Sequence, residues 1–220
     1  MSKGSEFEKH VAKMLSFWWT QDEDYPRDDI FYRTHGSGSR HTSRMKKKKT
    51  TANAAGDLMF IDDAGEPFIR NFIVEIKSGY TTTGRIRTKD IKSIIEKAKA
   101  KKQPIEKALR GYTAGRLKRS GETIDALDYI DSDKESVLMK WWKKLEKERE
   151  ETNRKHSILI FKRDLKHICM MVHMDLWMII VDFIPNKMNS LCMGDDLTVI
   201  FRFEEFITKV HPTFIEEIKR

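Results

Sequence analysis

The chain has 220 residues, of which 39% are hydrophobic and 35% charged, and a formal net charge of +8. Its aliphatic and aromatic runs are too dense for a disordered chain, and no apolar stretch reaches the roughly 18–20 residues of a membrane helix. The opening Met1 to Glu8 lacks the apolar core of a signal peptide, and two cysteines, Cys169 and Cys192, make no disulfide framework, so the expectation is an intracellular protein in a reducing compartment.

In chain order, Ser5 to Trp19 predicts a helix, with Phe7, Val11, Met14, Leu15 and Trp18 at helical spacing and Ser5 with Glu8 set as a capping box. Ile30 to Arg33 is a short strand, and Thr34 to Gly56 a loop rich in Gly, Ser, Thr and Lys. Two apolar runs, Leu58–Ile61 and Phe68–Ile76, flank Asp62 to Pro67, whose Asp and Gly are turn formers, so an antiparallel hairpin is expected. In its second strand Glu75 and Lys77 share a face opposite Phe72, Val74 and Ile76, because strand side chains alternate. Gly79 to Arg87 reads as a loop, Lys89 to Lys101 as a basic amphipathic helix, and 103–135 as irregular. Val137 to Lys155 is a second long helix. Ser157–Phe161, Ile168–Val172, Trp177–Phe183 and Leu197–Phe203 are strands, and Glu204–Val210 is a helix. The sum is an α/β fold, a central mixed β-sheet flanked by helices, in one domain over 1–220 with a basic helical insertion at about 81–135.

Positive charge is confined to two segments. Residues 33–56 hold seven Lys/Arg and no acid, residues 85–119 hold thirteen against three acids, and the rest of the chain is net negative. Clustered cations neutralise phosphates along a polyanion, which makes nucleic acid the leading partner; a solvated lysine-rich helix beside a loop is the plainer account of the same charges.

Phosphodiester hydrolysis needs a polarised phosphate, an activated water and a cation for the developing charge. Carboxylates holding a hard divalent ion supply the first two, and a lysine assists. Asp57, Glu75 and Lys77 provide this set on the expected hairpin, with the Ile76 backbone carbonyl as a further ligand. Asp90-Ile91-Lys92, Asp164-Leu165-Lys166 and Glu217-Ile218-Lys219 repeat the acid-x-Lys pattern. The first and last fall in helical segments, where positions i and i+2 diverge by about 200°, and Asp164 falls in a turn.

Gly56-Asp57 followed by Glu75-Ile76-Lys77 resembles the PD-(D/E)XK nucleases, with Gly for the nominal Pro. Lys3 to Lys9 is similar to the opening helix of the archaeal Holliday-junction resolvases and related phage nucleases of that superfamily, and Arg33-Thr34-His35-Gly36-Ser37-Gly38 to their Arg-x-x-Gly-Ser loop. The resemblance implies a restriction-endonuclease-like core and a Mg²⁺-dependent DNA endonuclease, with Mn²⁺ able to substitute, in a bacterial, archaeal or phage-infected cell. Its role would be junction resolution or phage or mobile-element DNA processing. It implies that Glu8 joins Asp57 and Glu75 at the metal, and that the chain acts as a homodimer on DNA, branched DNA included. Arg33, Ser37, Gly38, Arg40, Arg44, Lys46, Lys47, Lys48, Lys49, Arg85 and Arg87 are the expected DNA contacts. The resemblance covers residues 3–80 by motif and 137–183 by element order. The long basic loop and the insertion depart from the compact resolvases and leave open a restriction or homing-type endonuclease on linear duplex, or a DNA-binding module that does not cut.

Other patterns carry less. The glycines of Gly79 to Ile86 are spaced like a phosphate loop, but Arg85 and Ile86 replace the Lys and hydroxyl that such a loop needs, so no nucleotide cofactor is expected. His167, Cys169 and His173 alternate on a strand, where burial is the simpler account than zinc, and the paired tryptophans are assigned to packing.

Overall fold

The computed structural model describes residues 3–21, 24–34, 55–78, 88–108, 135–163, 166–184, 188–193 and 197–219. The chain divides into two units, residues 1–79 with 141–220, and residues 80–140. Among the described residues no helix is long and apolar enough to cross a membrane.

In the first unit, helix α1 (Lys3–Thr20) turns Phe7, Val11, Leu15 and Trp18 inward at intervals of four, four and three, which is one face of a helix. Lys3 and Gly4 are already helical, so Ser5 lies within the first turn rather than ahead of the helix. The buried Ser16 hydroxyl donates to Ala12 O (2.9 Å) and accepts from the amide of Phe31 (2.9 Å), tying α1 to the next strand. That strand, β1 (Phe31–Arg33), pairs antiparallel with β2 (Leu58–Phe60), Arg33 opposite Leu58.

The expected hairpin between Leu58–Ile61 and Phe68–Ile76 is absent. The Asp62 carboxylate accepts the Ala64 amide (2.8 Å) and closes a 3-10 turn at Asp63–Gly65, which runs into helix α2 (Glu66–Asn71) with Pro67 in its first turn. Proline there has a helical φ and lacks an N–H that would have no partner, so Phe68 and Ile69 are buried on a helix rather than a strand. Strand β3 (Phe72–Ser78) begins only afterwards and pairs in parallel with β4 (His156–Lys162), Glu75 opposite Leu159. Parallel neighbours need a long crossover; here it runs from residue 79 to residue 155 and includes the long helix Val137–Glu151.

β4 continues antiparallel to β5 (Ile168–His173). The apolar run after it is helix α5 (Met174–Val181), not the strand expected at Trp177–Phe183: Leu176 and Ile180, four apart, are buried, while Met178 and Val181 are exposed. A short run that is apolar all round carries no clear period, so length and pattern alone favoured neither state. Strands β6 (Ser190–Met193) and β7 (Thr198–Arg202) and helices α6 (Phe203–Lys209) and α7 (Phe214–Lys219) complete the unit. The result is a mixed five-stranded sheet, ordered β3-β4-β5-β7-β6 and flanked by helices.

Alternation assigns the two faces of the sheet. Phe72, Val74, Ile76, Ile158, Ile160, Met170, Val172 and Phe201 share one core with α1, α5, α6 and α7. Trp18 anchors that core, its indole donating to Val210 O (2.6 Å) and its ring 5.0 Å from Phe206. Ile73, Glu75, Leu159, Phe161 and Met171 are buried on the other face.

In the unit of residues 80–140, helix α3 (Thr88–Ala100) buries Ala98 with Ile94 and Ile95 half-buried, and residues 105–108 form a helical turn. Helix α4 (Val137–Glu151) begins in this unit and continues into the first from Trp141; its Met139 amide is capped by the Ser136 hydroxyl (3.2 Å). It ends four residues before the expected Lys155, where Asn153 takes the left-handed conformation common after a helix.

Candidate active site

The site is built on the outer edge of β3. A strand residue points its N–H and C=O to the same side, so alternate residues face the neighbouring strand and the free edge. Val74 O accepts the Asp57 amide (2.7 Å), and the Ile76 amide donates to Asp57 Oδ2 (2.9 Å), which assigns Phe72, Val74 and Ile76 to the free edge. Phe72 O accepts from the Arg154 guanidinium (2.9 Å), consistent with that assignment. The Ile76 carbonyl therefore points to the side where the Asp57 carboxylate sits.

Asp57 reaches this edge through Gly56, whose φ of +73° and buried backbone leave no room for a side chain. A Cβ there would lie 2.6 Å from Val74 O. Thr34 N donates to Asp57 O (2.9 Å), so the end of β1 holds the same segment.

The structure brings Asp57, Glu75 and Lys77 together, although by a different route from the expected hairpin. Asp57 and Glu75 are 6% and 8% exposed. Lys77 Nζ lies 3.4 Å from Asp57 Oδ2 and forms an ion pair with Glu75 Oε1. Two carboxylates thus converge on one ammonium in a place almost closed to water.

The electrostatics follow. Burial, and then the charge of Asp57, push the Glu75 carboxyl up to about 7, against the pull of Lys77 and Lys144. Burial disfavours the charged form of Lys77, but Asp57 and Glu75 outweigh it and hold its pKa above the ordinary lysine value. Lys77 is therefore an ammonium at neutral pH and a donor, not a base. The pair of carboxylates calls for more positive charge than one lysine supplies.

An oxygen-only set of two carboxylates and one carbonyl suits a hard divalent cation such as Mg²⁺, which keeps several waters and binds through one or two carboxylates plus phosphate oxygens. Among the described residues no group of three or more His, Cys, Asp or Glu side chains is placed to hold a metal. Further ligands would be the Ile76 carbonyl, water and substrate.

Glu8 does not join this pair. Its Oε2 is 3.0 Å from Arg33 Nη1, both side chains about one-fifth exposed, which makes it the partner of the arginine beside Leu58 rather than a ligand beside Asp57. Ser37, Gly38, Arg40, Arg44, Lys46, Lys47, Lys48, Lys49, Arg85 and Arg87 lie outside the described residues. Of the competing acid-x-Lys patterns, Asp90 to Lys92 is on α3 and Glu217 to Lys219 on α7, while Asp164 and Leu165 lie outside the described residues. His167 is exposed, His173 is bonded to Asp175 (3.0 Å), and among the described residues Cys169 belongs to no group of three or more His, Cys, Asp or Glu placed to hold a metal. Trp18 and Trp142 are buried, as packing residues should be.

Two residues that sequence reasoning passed over frame the site. Glu148 on α4 accepts the Gly56 amide (3.1 Å), and Arg154, 5% exposed, binds Phe72 O. Burial pulls the Arg154 guanidinium down to about 10, with Glu148 opposing. Both belong to a run dense in Lys, Arg and Glu whose composition matches any solvated helix, and nothing in it marks them out. No family model matches the chain, and no curated protein or solved structure matches it.

Proposed function

We propose that the protein is a metal-dependent endodeoxyribonuclease with a restriction-endonuclease-like core, hydrolysing phosphodiester bonds at Asp57, Glu75 and Lys77. The observation that carries this reading is the convergence of two buried carboxylates and one ammonium at the free edge of β3, beside the carbonyl of Ile76. Asp57, Glu75 and the Ile76 carbonyl would hold the divalent ion. When bound, such an ion polarises the phosphate and makes its bound water a stronger acid.

The remaining work falls to the chain's own groups. Lys77, fixed by both carboxylates, offers N–H donors to a non-bridging phosphate oxygen as negative charge grows there. The burial of Asp57 and Glu75 excludes bulk water and strengthens each of these interactions. The basic segments 33–56 and 85–119 supply cations for flanking phosphates, which ties affinity to salt concentration. The resemblance to junction resolvases favours branched DNA and a dimer that places two sites on opposing strands.

The test is cleavage of supercoiled, linear and four-way-junction DNA with Mg²⁺, with Mn²⁺ or with EDTA. Cutting is expected with either ion and not with EDTA. Asp57→Ala and Lys77→Ala should each lower the rate at least about 100-fold. Wild-type protein that binds these DNAs without cutting any of them would make the chain a binding module, and cutting confined to linear duplex would favour the restriction or homing-type reading.

A further inference from the structure

Asp57 takes its place from the residue before it. Gly56 is buried, adopts a conformation that side chains rarely allow and presses against Val74, so its amide points away from solvent. The β1–β2 ladder pairs Arg33 with Leu58 and does not extend to Gly56. A buried N–H needs an acceptor, and this one is supplied from 92 residues away, by Glu148 Oε1 at 3.1 Å. A carboxylate acceptor holds a backbone amide more firmly than a neutral one.

Glu148 is also placed to hold β3 at a second point. Its charge acts on Arg154, whose guanidinium grips Phe72 O at the start of the strand. One turn earlier on α4, Lys144 lies close enough to Glu75 to act on its carboxyl. Helix α4 therefore addresses the Gly56-Asp57 segment, the start of β3 and Glu75 with neighbouring side chains.

We infer that Glu148 is a positioning residue for the reaction: by holding the Gly56 amide it sets the Asp57 carboxylate against the Ile76 amide and Lys77. This rests on the nuclease reading for its consequence in catalysis, but the hold on Gly56 is measurable without it. Glu148→Ala removes the acceptor, Glu148→Gln keeps an oxygen in the same place without the charge, and Glu150→Ala, an exposed change on the same helix, is the control.

The experiment follows amide hydrogen exchange at Gly56 and Asp57 by NMR in the full-length chain, with Mn²⁺ binding by electron paramagnetic resonance and cleavage of supercoiled DNA at saturating Mn²⁺. In Glu148→Ala, exchange at Gly56 should quicken at least about tenfold, the scale of one lost charge-assisted bond. Mn²⁺ affinity should fall about 3- to 10-fold, and the saturated cleavage rate about 10- to 100-fold. Glu148→Gln should recover most of each loss, and Glu150→Ala should match wild type throughout.

Unchanged exchange at Gly56 in Glu148→Ala overturns the inference, and so does Glu148→Gln losing cleavage as fully as Glu148→Ala. If Glu148→Ala fails to fold, Glu148→Gln decides: slow exchange with retained Mn²⁺ affinity supports the inference, and fast exchange with lost affinity overturns it. A wild type that neither binds Mn²⁺ nor cuts DNA overturns the nuclease reading instead, and exchange at Gly56 still reports whether Glu148 holds the segment.

Discussion

The five-stranded sheet has two edges, and they are finished in different ways. Along β6, residues Ser190, Leu191 and Cys192 are exposed, and the edge is kept from pairing with other chains mainly by being four residues long. Along β3 three of the outward peptide groups are taken up: Phe72 O by Arg154, Val74 O by the Asp57 amide and the Ile76 amide by the Asp57 carboxylate. The group expected to bind the ion is thus the same group that closes the edge. A buried edge must satisfy its polar groups, and here one aspartate supplies two of those bonds and places its carboxylate beside Glu75 and Lys77 in doing so.

The contrast should break most completely at Gly56. Glycine-to-alanine there adds a strained φ and a Cβ 2.6 Å from Val74 O, and should lower the unfolding free energy by about 4 kcal/mol in urea titrations. Cleavage should fall with it. Arg154→Met removes the donor to Phe72 O and the cation beside Glu148 while keeping apolar bulk, with an expected loss of about 2–3 kcal/mol in the same assay.

The pH dependence of stability comes next. Glu75 titrates near 7 when folded against an ordinary 4.5, because burial and Asp57 disfavour its charge, so its contribution is complete below about 4.5 and is lost as pH rises through about 7. Glu75→Gln should therefore flatten the stability profile between those values and, in EDTA, exceed wild type at pH 8 by about 1–3 kcal/mol. An unchanged profile would mean that the two carboxylates do not share their pocket as described. At the open edge, Leu191→Lys should move stability by less than about 0.5 kcal/mol. A larger loss would show that β6 is covered after all.

Much of this was legible in the chain. The end of β3 could be read because Val74 to Lys77 alternates apolar with charged residues, and the clustering of Asp57, Glu75 and Lys77 followed from placing the motif on strands. The connection between them was misread. Glu66-Pro67 is a helix-start signal, but only Arg70-Asn71 separates the apolar Phe68 and Ile69 from β3, and a short apolar run does not declare its period. The same ambiguity hid α5, where Asp175 in the first turn was the available cue. Glu8 was placed correctly on α1, yet its ion pair with Arg33 depends on how α1 meets β1, which no local pattern encodes. Glu148 and Arg154 were out of reach for a similar reason: their partners are backbone groups 92 and 82 residues away, and backbone groups leave no trace in a sequence.

The double employment of Asp57 bears on how descendants of this chain should diverge. Active-site acids are often a burden on a fold, to be shed once their chemistry is no longer selected. Asp57 stitches β3 to the segment before β2, so under the proposed nuclease reading a lineage that lost the activity would keep it for the sake of folding. Glu75, crowded and reluctant to ionise, would be among the first to drift, with Lys77 following once its partner was gone. In any set of relatives, then, an intact Glu75 and Lys77 are the better witnesses to a working enzyme, and an intact Asp57 testifies chiefly to the fold.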